Sequence, residues 1–377
     1  MAIRGITHVQ NPFKPTAGKM PPELIGRDNA IDEFRDGLAN GPGAPERLMR
    51  VSGMRGMGKT VMLGEFRRIA LETDPKWTVV SETANKGFCA RILETLSRKS
   101  LAGSVRLQPT AFGVSLGSME IERASLDLRD AMMKATEKGH GLLITLDEVQ
   151  DASLDETKTL AIAIQHVISE DRDIAFAFAG LPSMISEVVN SDTLTFLRRA
   201  VPVALEAIPI PDVAFSLADT MRRLGGMEVS DGLVDQLARA SAGYPFMVQL
   251  VGYQTWQTAF RRLDRKGGEV TARDVEEGIG EARRRFDAMV IEPAMHHLPP
   301  SAVRFLLAMA EDGDRTSETA EVAARLNGSI TSVSPLRARL IKEGVVESSG
   351  RGRIGFAIPY LTDYLMRNRE ELEQEFA

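Results

Sequence analysis

The stretch Gly53-Met54-Arg55-Gly56-Met57-Gly58-Lys59-Thr60, which continues into Val61, decides the fold of this chain. Its spacing, G-x-x-x-x-G-K-T, is typical of a loop that wraps phosphate groups. Glycines let the backbone turn its N–H groups inward, and a following helix adds the positive end of its dipole. Lys59 would reach the β- and γ-phosphates of a nucleotide, and the Thr60 hydroxyl would hold Mg²⁺. We therefore expect residues 53–61 to bind a nucleotide.

The sequence on either side of this loop fits that interpretation. Residues 48–51 form a short apolar run suited to a buried strand. Residues 61–71 carry apolar side chains at helical spacing. The order strand, loop, helix is the structural context that a phosphate-binding loop requires.

A second motif follows at residues 141–148, where an apolar run ends in two adjacent carboxylates, Asp147 and Glu148. This is the pattern of a Walker B strand. Asp147 would hold the Mg²⁺ shell, and Glu148 would polarise the water that attacks the nucleotide. Because successive strand residues face opposite sides of a sheet, the two carboxylates can have separate roles.

Further apolar runs alternate with helical patterns along residues 77–205. We predict strands at residues 77–80, 174–180 and 201–205, and Pro202 favours a sheet edge for the last of them. Residues 104–121 alternate and contain Gly113 and Gly117, which indicates an inserted β-hairpin. Alternating strands and helices predict an α/β fold with a parallel sheet and helices on both faces.

The pattern becomes wholly helical after Pro211, with helices predicted at residues 213–224, 232–242, 246–263 and 272–290. His296 and His297 then fall in a predicted linker. The last segment predicts three helices followed by a β-hairpin, which is the order of a winged helix-turn-helix.

Composition narrows the class of protein. The chain has 377 residues, with 43% hydrophobic and 26% charged residues and a formal net charge of -6. Contact with nucleic acid therefore requires a local basic patch. Cys89 is the only cysteine, which excludes an internal disulfide and fits a reducing compartment. No membrane-spanning run or signal peptide is evident, so we expect a cytoplasmic protein.

These motifs together resemble the AAA+ superfamily, in the branch near the Orc/Cdc6-like and STAND ATPases. The stretch Ile25-Gly26-Arg27 is similar to a box that lies beside the adenine in that family. Gly243-Tyr244-Pro245 is similar to the STAND element that touches the base. The resemblance implies ATP and Mg²⁺ as ligands, a helical lid after the ATPase domain, and a C-terminal winged helix.

Two departures from the family pattern favour a slow nucleotide switch. The family places a polar sensor residue at the end of the fourth strand, where this chain has Ala179 and Gly180. The second sensor, an arginine in the lid, is replaced by the Gly-Tyr-Pro element. Arg198 and Arg199 occur where the resemblance places an arginine finger. The alternative is that the two arginines belong to an ordinary solvated helix end. We favour Arg199, acting between subunits of a homo-oligomer.

The predicted winged helix offers a surface for duplex DNA. Arg339 and Lys342 lie opposite its apolar positions, and Arg351 and Arg353 lie on the predicted wing. Arg337 borders the apolar sector, so it can pair internally. The alternative function is a scaffold that holds nucleotide without hydrolysis and binds a protein partner through the same region. No N-K-x-D guanine motif is evident, which disfavours a GTP-specific protein.

The predicted organisation has five parts. They are an extended N-terminal arm that lies across the following domain (1–22), the α/β ATPase domain (23–208), the helical lid (209–293), the winged helix (294–366) and a charged tail with no reason to be ordered (367–377).

Overall fold

The computed structural model describes residues 10–16, 18–74, 76–100, 118–190 and 195–375. The strands are β1 (Leu48–Gly53), β2 (Thr78–Thr83), β3 (Leu142–Asp147), β4 (Ile174–Gly180), β5 (Val201–Leu205), β6 (Met227–Glu228), β7 (Gly268–Glu269), β8 (Ser317–Glu318), β9 (Val346–Ser348) and β10 (Arg353–Phe356). The helices are α1 (Asp28–Asn40), α2 (Lys59–Thr73), α3 (Phe88–Ser100), α4 (Ser118–Ala135), α5 (Leu154–Ser169), α6 (Pro182–Asn190), α7 (Ile210–Asp219), α8 (Asp231–Ala240), α9 (Pro245–Arg262), α10 (Ala272–Phe286), α11 (Glu292–His296), α12 (Pro300–Ala310), α13 (Thr319–Arg325), α14 (Ile330–Lys342), α15 (Leu361–Arg367) and α16 (Arg369–Glu375).

The first five strands form one sheet in the order β2-β3-β4-β1-β5, and all neighbouring pairs are parallel. Every residue of β3 and β4 is buried, as the continuous apolar runs predict. Strand β5 lies at the edge, which agrees with Pro202. The predicted α/β fold with a parallel sheet is confirmed.

The chain forms two compact units. The α/β unit comprises residues 27–53 and 58–206, and the helical unit comprises residues 1–26, 54–57 and 207–377. The core of the α/β unit joins the sheet to helices α3, α4, α5 and α6. Cys89 is fully buried in this core, where its Sγ donates to the backbone oxygen of Glu156 at 3.2 Å, and burial raises the pKa of the thiol. No helix among the described residues has the length and apolar character needed to cross a membrane.

The helical unit has one continuous apolar core from α7 to α16. Tyr360 packs edge-on against Phe286 at a centroid distance of 5.9 Å, and the Arg283 guanidinium lies 3.3 Å from its ring centre. The Tyr360 hydroxyl donates to the backbone oxygen of Ala240 at 2.6 Å. The four predicted helices of residues 213–290 are present, and α7 and α10 each continue into a short π-helical segment (residues 220–224 and 287–291). The division into lid and winged helix stays a prediction within this shared core.

The described part of the N-terminal arm packs on α9 of the helical unit, whereas the sequence predicted an arm that lies across the following domain. Phe13 is 1% exposed, and a Cβ on Gly252 would lie 2.7 Å from its Cζ atom. The Asn11 side-chain amide donates to the backbone oxygen of Tyr253 at 2.9 Å, and the Lys14 backbone N–H donates to Gln249 Oε1 at 3.0 Å. A glycine on the α9 surface thus makes room for the buried ring of the arm.

The C-terminal elements follow the predicted order of helices and hairpin. Strands β9 and β10 form the antiparallel hairpin, and β8 pairs with β10 on its other side. The tail after residue 367 differs from the prediction, since α16 is ordered by the buried side chain of Leu372 and by Arg369, which pairs with Glu373 and Glu311. The predicted linker is also shorter, because α11 ends at His296. Residues 104–117 of the predicted 104–121 hairpin lie outside the described residues, and residues 118–121 belong to α4.

Candidate functional site

The glycine-rich loop joins the interior strand β1 to helix α2, which begins at Lys59. Gly56 and Gly58 have φ values of 77° and 91°, in the left-handed region where a residue with a Cβ atom is strained. A Cβ on Gly58 would meet no atom within 4 Å. The backbone therefore has the turn that a phosphate cradle needs, with open space beside its last glycine.

Lys59 and Thr60 begin α2 beside the end of β3. The Lys59 ammonium donates to the backbone oxygen of Gly53 at 3.0 Å, and its side chain is buried. The Thr60 hydroxyl donates to Asp147 Oδ2 at 2.5 Å. Burial raises the pKa of Asp147, and the hydrogen bond from Thr60 opposes that shift. A hydroxyl and a carboxylate in contact are oxygen ligands of the type that Mg²⁺ takes, so this pair fits the predicted metal site.

Glu148 lies outside β3, which ends at Asp147. Its φ of 54° is left-handed, and its backbone N–H donates to Asp147 Oδ1 at 2.9 Å. The separation of the two carboxylates therefore comes from this backbone turn and not from strand alternation. Asp147 is buried, whereas Glu148 is partly exposed. The side-chain amide of Gln150 donates to Glu148 Oε2, a contact that no sequence pattern indicated.

The predicted adenine box lies just before α1. Arg27 donates to the backbone oxygen of Glu206 at 2.7 Å, and burial lowers the pKa of its guanidinium. Gly26 has a left-handed φ of 65°, and Ile25 packs against the core of the helical unit. Their contact with a base stays a prediction.

The Gly-Tyr-Pro element begins helix α9, with Pro245 in its first turn. Tyr244 is 1% exposed, and its hydroxyl donates to the backbone oxygen of Arg55 in the glycine-rich loop. A Cβ on Gly56 would lie 2.7 Å from Tyr244 Cε1. Burial raises the pKa of the Tyr244 hydroxyl, which therefore remains a donor. The side chain contacts the loop backbone, while the predicted contact of Tyr244 and Pro245 with the base is untested.

The other predicted residues differ in how far their charges are engaged. Arg198 donates to the backbone oxygens of Val189 and Asn190 at 2.8 and 3.2 Å, whereas Arg199 and Arg55 are exposed. The arginine-finger role of Arg198 or Arg199 stays a prediction.

The basic residues of the C-terminal region fall into two groups. Arg339 pairs with Glu343 at 2.7 Å, and Arg353 pairs with Glu318 at 3.2 Å. Arg351 and Lys342 are exposed, and the part of the chain that the structure describes supplies no ion pair to either. Arg337 donates to Ser348 Oγ at 3.2 Å, in line with its predicted internal pairing.

Comparison with known proteins supports the motif assignment. Residues 23–172 match the family model described as an AAA ATPase domain. Residues 288–365 match a family described as a domain of unknown function. No curated protein gives a significant match.

Several solved structures share the fold across nearly the whole chain. The ORC2 protein of Aeropyrum pernix, solved as ADPNP–ADP complexes, is 15% identical with a TM-score of 0.67, and the match covers 96% of this chain and 97% of that chain. Cdc6p of Pyrobaculum aerophilum is 14% identical with a TM-score of 0.52, covering 96% and 98%. ORC1 of Aeropyrum pernix, solved in complex with DNA, is 17% identical with a TM-score of 0.52, covering 95% and 96%. Residues 23–172 therefore match an AAA ATPase domain, and the chain shares its fold with the Cdc6 and ORC structures.

Proposed function

We propose that this protein binds ATP with Mg²⁺ and hydrolyses it slowly, as a switch that controls binding of duplex DNA by the C-terminal region. The observation that carries the ATPase part is the contact between Thr60 and Asp147 at the foot of the glycine-rich loop, with Glu148 beside it. A threonine hydroxyl in contact with a buried carboxylate can bind the cation that accompanies nucleotide phosphates.

The residues take the following roles in this proposal. The backbone of residues 53–61 holds the phosphates, and Lys59 faces the β- and γ-phosphates. Thr60 would hold Mg²⁺ and Asp147 would position its ligand shell, and the bound cation would neutralise charge on the phosphate oxygens. Glu148 accepts a proton from water, whose oxygen attacks the γ-phosphorus as the bond to the β–γ bridging oxygen breaks. ADP and phosphate leave, and Arg199 of a neighbouring subunit stabilises the developing charge.

Slow turnover is supported by the end of β4. Residue 180 is a glycine, so this strand places no polar side chain beside the γ-phosphate position. Fewer preorganised donors or acceptors around the reacting water mean less stabilisation of the transition state. Slow hydrolysis suits a switch, in which the bound state must last long enough to be read.

The DNA part is supported by the exposed cations Arg351 and Lys342 and by the fold shared with ORC1, which was solved in complex with DNA. Arg339 and Arg353 would exchange their carboxylate partners for phosphates on binding. The alternative, a non-hydrolysing scaffold that binds a protein, draws support from those intramolecular pairs and from the net charge of -6.

A Glu148→Gln variant tests the ATPase assignment. The amide is nearly isosteric but cannot accept the proton, so we expect unchanged ATP affinity by calorimetry and a turnover at least about 100-fold lower. Lys59→Ala is the companion variant and should lose ATP binding.

Wild-type turnover in Glu148→Gln would contradict the role of Glu148. A wild-type protein that binds ATP without any turnover would support the scaffold alternative instead.

A further inference from the structure

The segment after β3 folds back on itself and brings Gln150 against Glu148. Val149–Asp151 is a single 3-10 turn, and the Asp151 backbone N–H donates to the backbone oxygen of Glu148 at 2.9 Å. Glu148 begins this turn with its left-handed φ of 54°. The turn returns the side chain at 150 over the carboxylate at 148, where Gln150 Nε2 donates to Glu148 Oε2.

The other end of the Gln150 amide lies beside the end of β4. A Cβ built on Gly180 would lie 3.2 Å from Gln150 Oε1 and 2.6 Å from Val149 Cγ2. Gly180 therefore leaves the space that Val149 and Gln150 fill. The polar group nearest to the end of β4 comes from the turn after β3 and not from β4 itself.

Only one end of the Gln150 side-chain amide has a hydrogen-bond partner among the described residues. Gln150 Oε1 is buried and has no hydrogen-bond partner among the described residues. A buried carbonyl oxygen without a partner costs free energy, and the donation from the other end of the amide to the Glu148 carboxylate offsets that cost. What the orientation achieves is a donor aimed at the Glu148 carboxylate.

We propose that Gln150 is the positioning residue for Glu148, which its amide holds in the orientation that receives the proton of the attacking water. This inference rests on the proposed ATPase function. In this role Gln150 acts through Glu148, so it governs the rate of the chemical step and not the affinity for ATP. Positioning a general base and binding the substrate are separate contributions. A change in kcat without a change in KM therefore indicates the first of them.

Gln150→Met is the central variant, because methionine is close to glutamine in length and volume and fills the space beside Gly180 without a donor. We expect kcat to fall about tenfold, the loss typical of one hydrogen bond to a charged group, with KM and ATP affinity unchanged. Gln150→Glu, which keeps the shape but sets a carboxylate against Glu148, should lower kcat at least as much. Thermal unfolding of each variant checks that the fold is intact.

A double-mutant cycle shows whether Gln150 acts through Glu148. In the Glu148→Gln background, residual turnover under single-turnover conditions should not fall further when Gln150→Met is added, whereas a purely structural role would lower it again. The inference is overturned by wild-type kcat in Gln150→Met, by a rise in kcat, or by additive losses in the cycle. Full activity of Glu148→Gln would overturn the proposed function as well, which distinguishes the two failures.

Discussion

At the scale of single residues, the hydroxyl of Tyr244 is directed at the backbone of the glycine-rich loop. It donates to the Arg55 carbonyl, and its ring occupies the space that a side chain at position 56 would need. Two separate features therefore favour glycine at position 56. They are its left-handed φ and the close approach of the Tyr244 ring. The loop conformation depends on a side chain that lies far away in sequence.

We predict that Tyr244→Phe weakens ATP binding about tenfold, because the Arg55 peptide loses the donor that fixes it. Tyr360→Phe is a matched control, since it also removes a hydroxyl that donates to a backbone oxygen in the same unit, here that of Ala240. Both variants should lose about 1 kcal/mol of stability, and only the first should change the Kd for ATP. Calorimetric titrations with ATP measure this, and equal Kd values for the two variants would count against the prediction.

The sequence predicted some site residues and missed others for a physical reason. Lys59, Thr60 and Asp147 belong to motifs whose spacing is set by one strand–loop–helix unit and one strand end, so local pattern was enough to identify them. The contacts of Gln150 with Glu148 and of Tyr244 with Arg55 depend on side-chain placement after folding. No periodicity or spacing in a single chain encodes such contacts.

At the scale of elements, the N-terminal arm is held by one aromatic anchor. Phe13 is buried in the core of the helical unit, and the hydrogen bonds of Asn11 and Lys14 to α9 flank it. Prolines and the absence of a period predicted an extended arm. The surface on which the arm packs could not be predicted. The space beside Gly252 that receives the Phe13 ring exists only in the folded helical unit.

We predict that Phe13→Ala releases the arm and lowers the free energy of unfolding of the helical unit by about 3 kcal/mol. Hydrogen exchange should show lost protection of the Lys14 amide, which now donates to Gln249. Gly252→Ala should have the same effect, because its Cβ would occupy the space that the Phe13 ring needs. Phe215→Ala, at a phenylalanine that is 73% exposed, is the control, and equal exchange in all variants would refute the anchor.

The C-terminal tail contains a helix, α16, that the sequence did not predict. Its charged residues gave no indication of a helix. A single apolar side chain, that of Leu372, is buried in the core and holds this helix in place. One apolar side chain is too weak a pattern to predict a helix, but in the folded chain it has a buried site to occupy.

At the scale of the whole molecule, the proposed contact with DNA must overcome a net charge of -6 through a few local cations. The charge reversal Arg351→Glu/Arg353→Glu should weaken duplex binding across sequences. It should also flatten the salt dependence by about one unit of slope per lost contact. ATPase activity without DNA should be unchanged. Fluorescence anisotropy over a range of salt concentrations measures both effects.

The control for this experiment reverses two exposed arginines of α10 and so changes the net charge equally. In Arg273→Glu/Arg284→Glu, binding should stay near the wild-type level, because those side chains lie outside the wing. Equal losses in both double variants would show a general charge effect, and a wild-type protein that fails to bind at low salt would favour the protein-binding scaffold.

The burial of Cys89 has a practical consequence for spectroscopy. This thiol is the only one in the chain, it is fully buried, and burial raises its pKa, so it resists alkylation in the native protein. A pair of cysteines introduced at exposed positions, such as 98 in the α/β unit and 351 in the wing, would therefore take up fluorophores without removal of the natural cysteine. Distances between such labels, recorded with ATP and with ADP, would test whether the proposed nucleotide switch changes the separation of the two labelled positions.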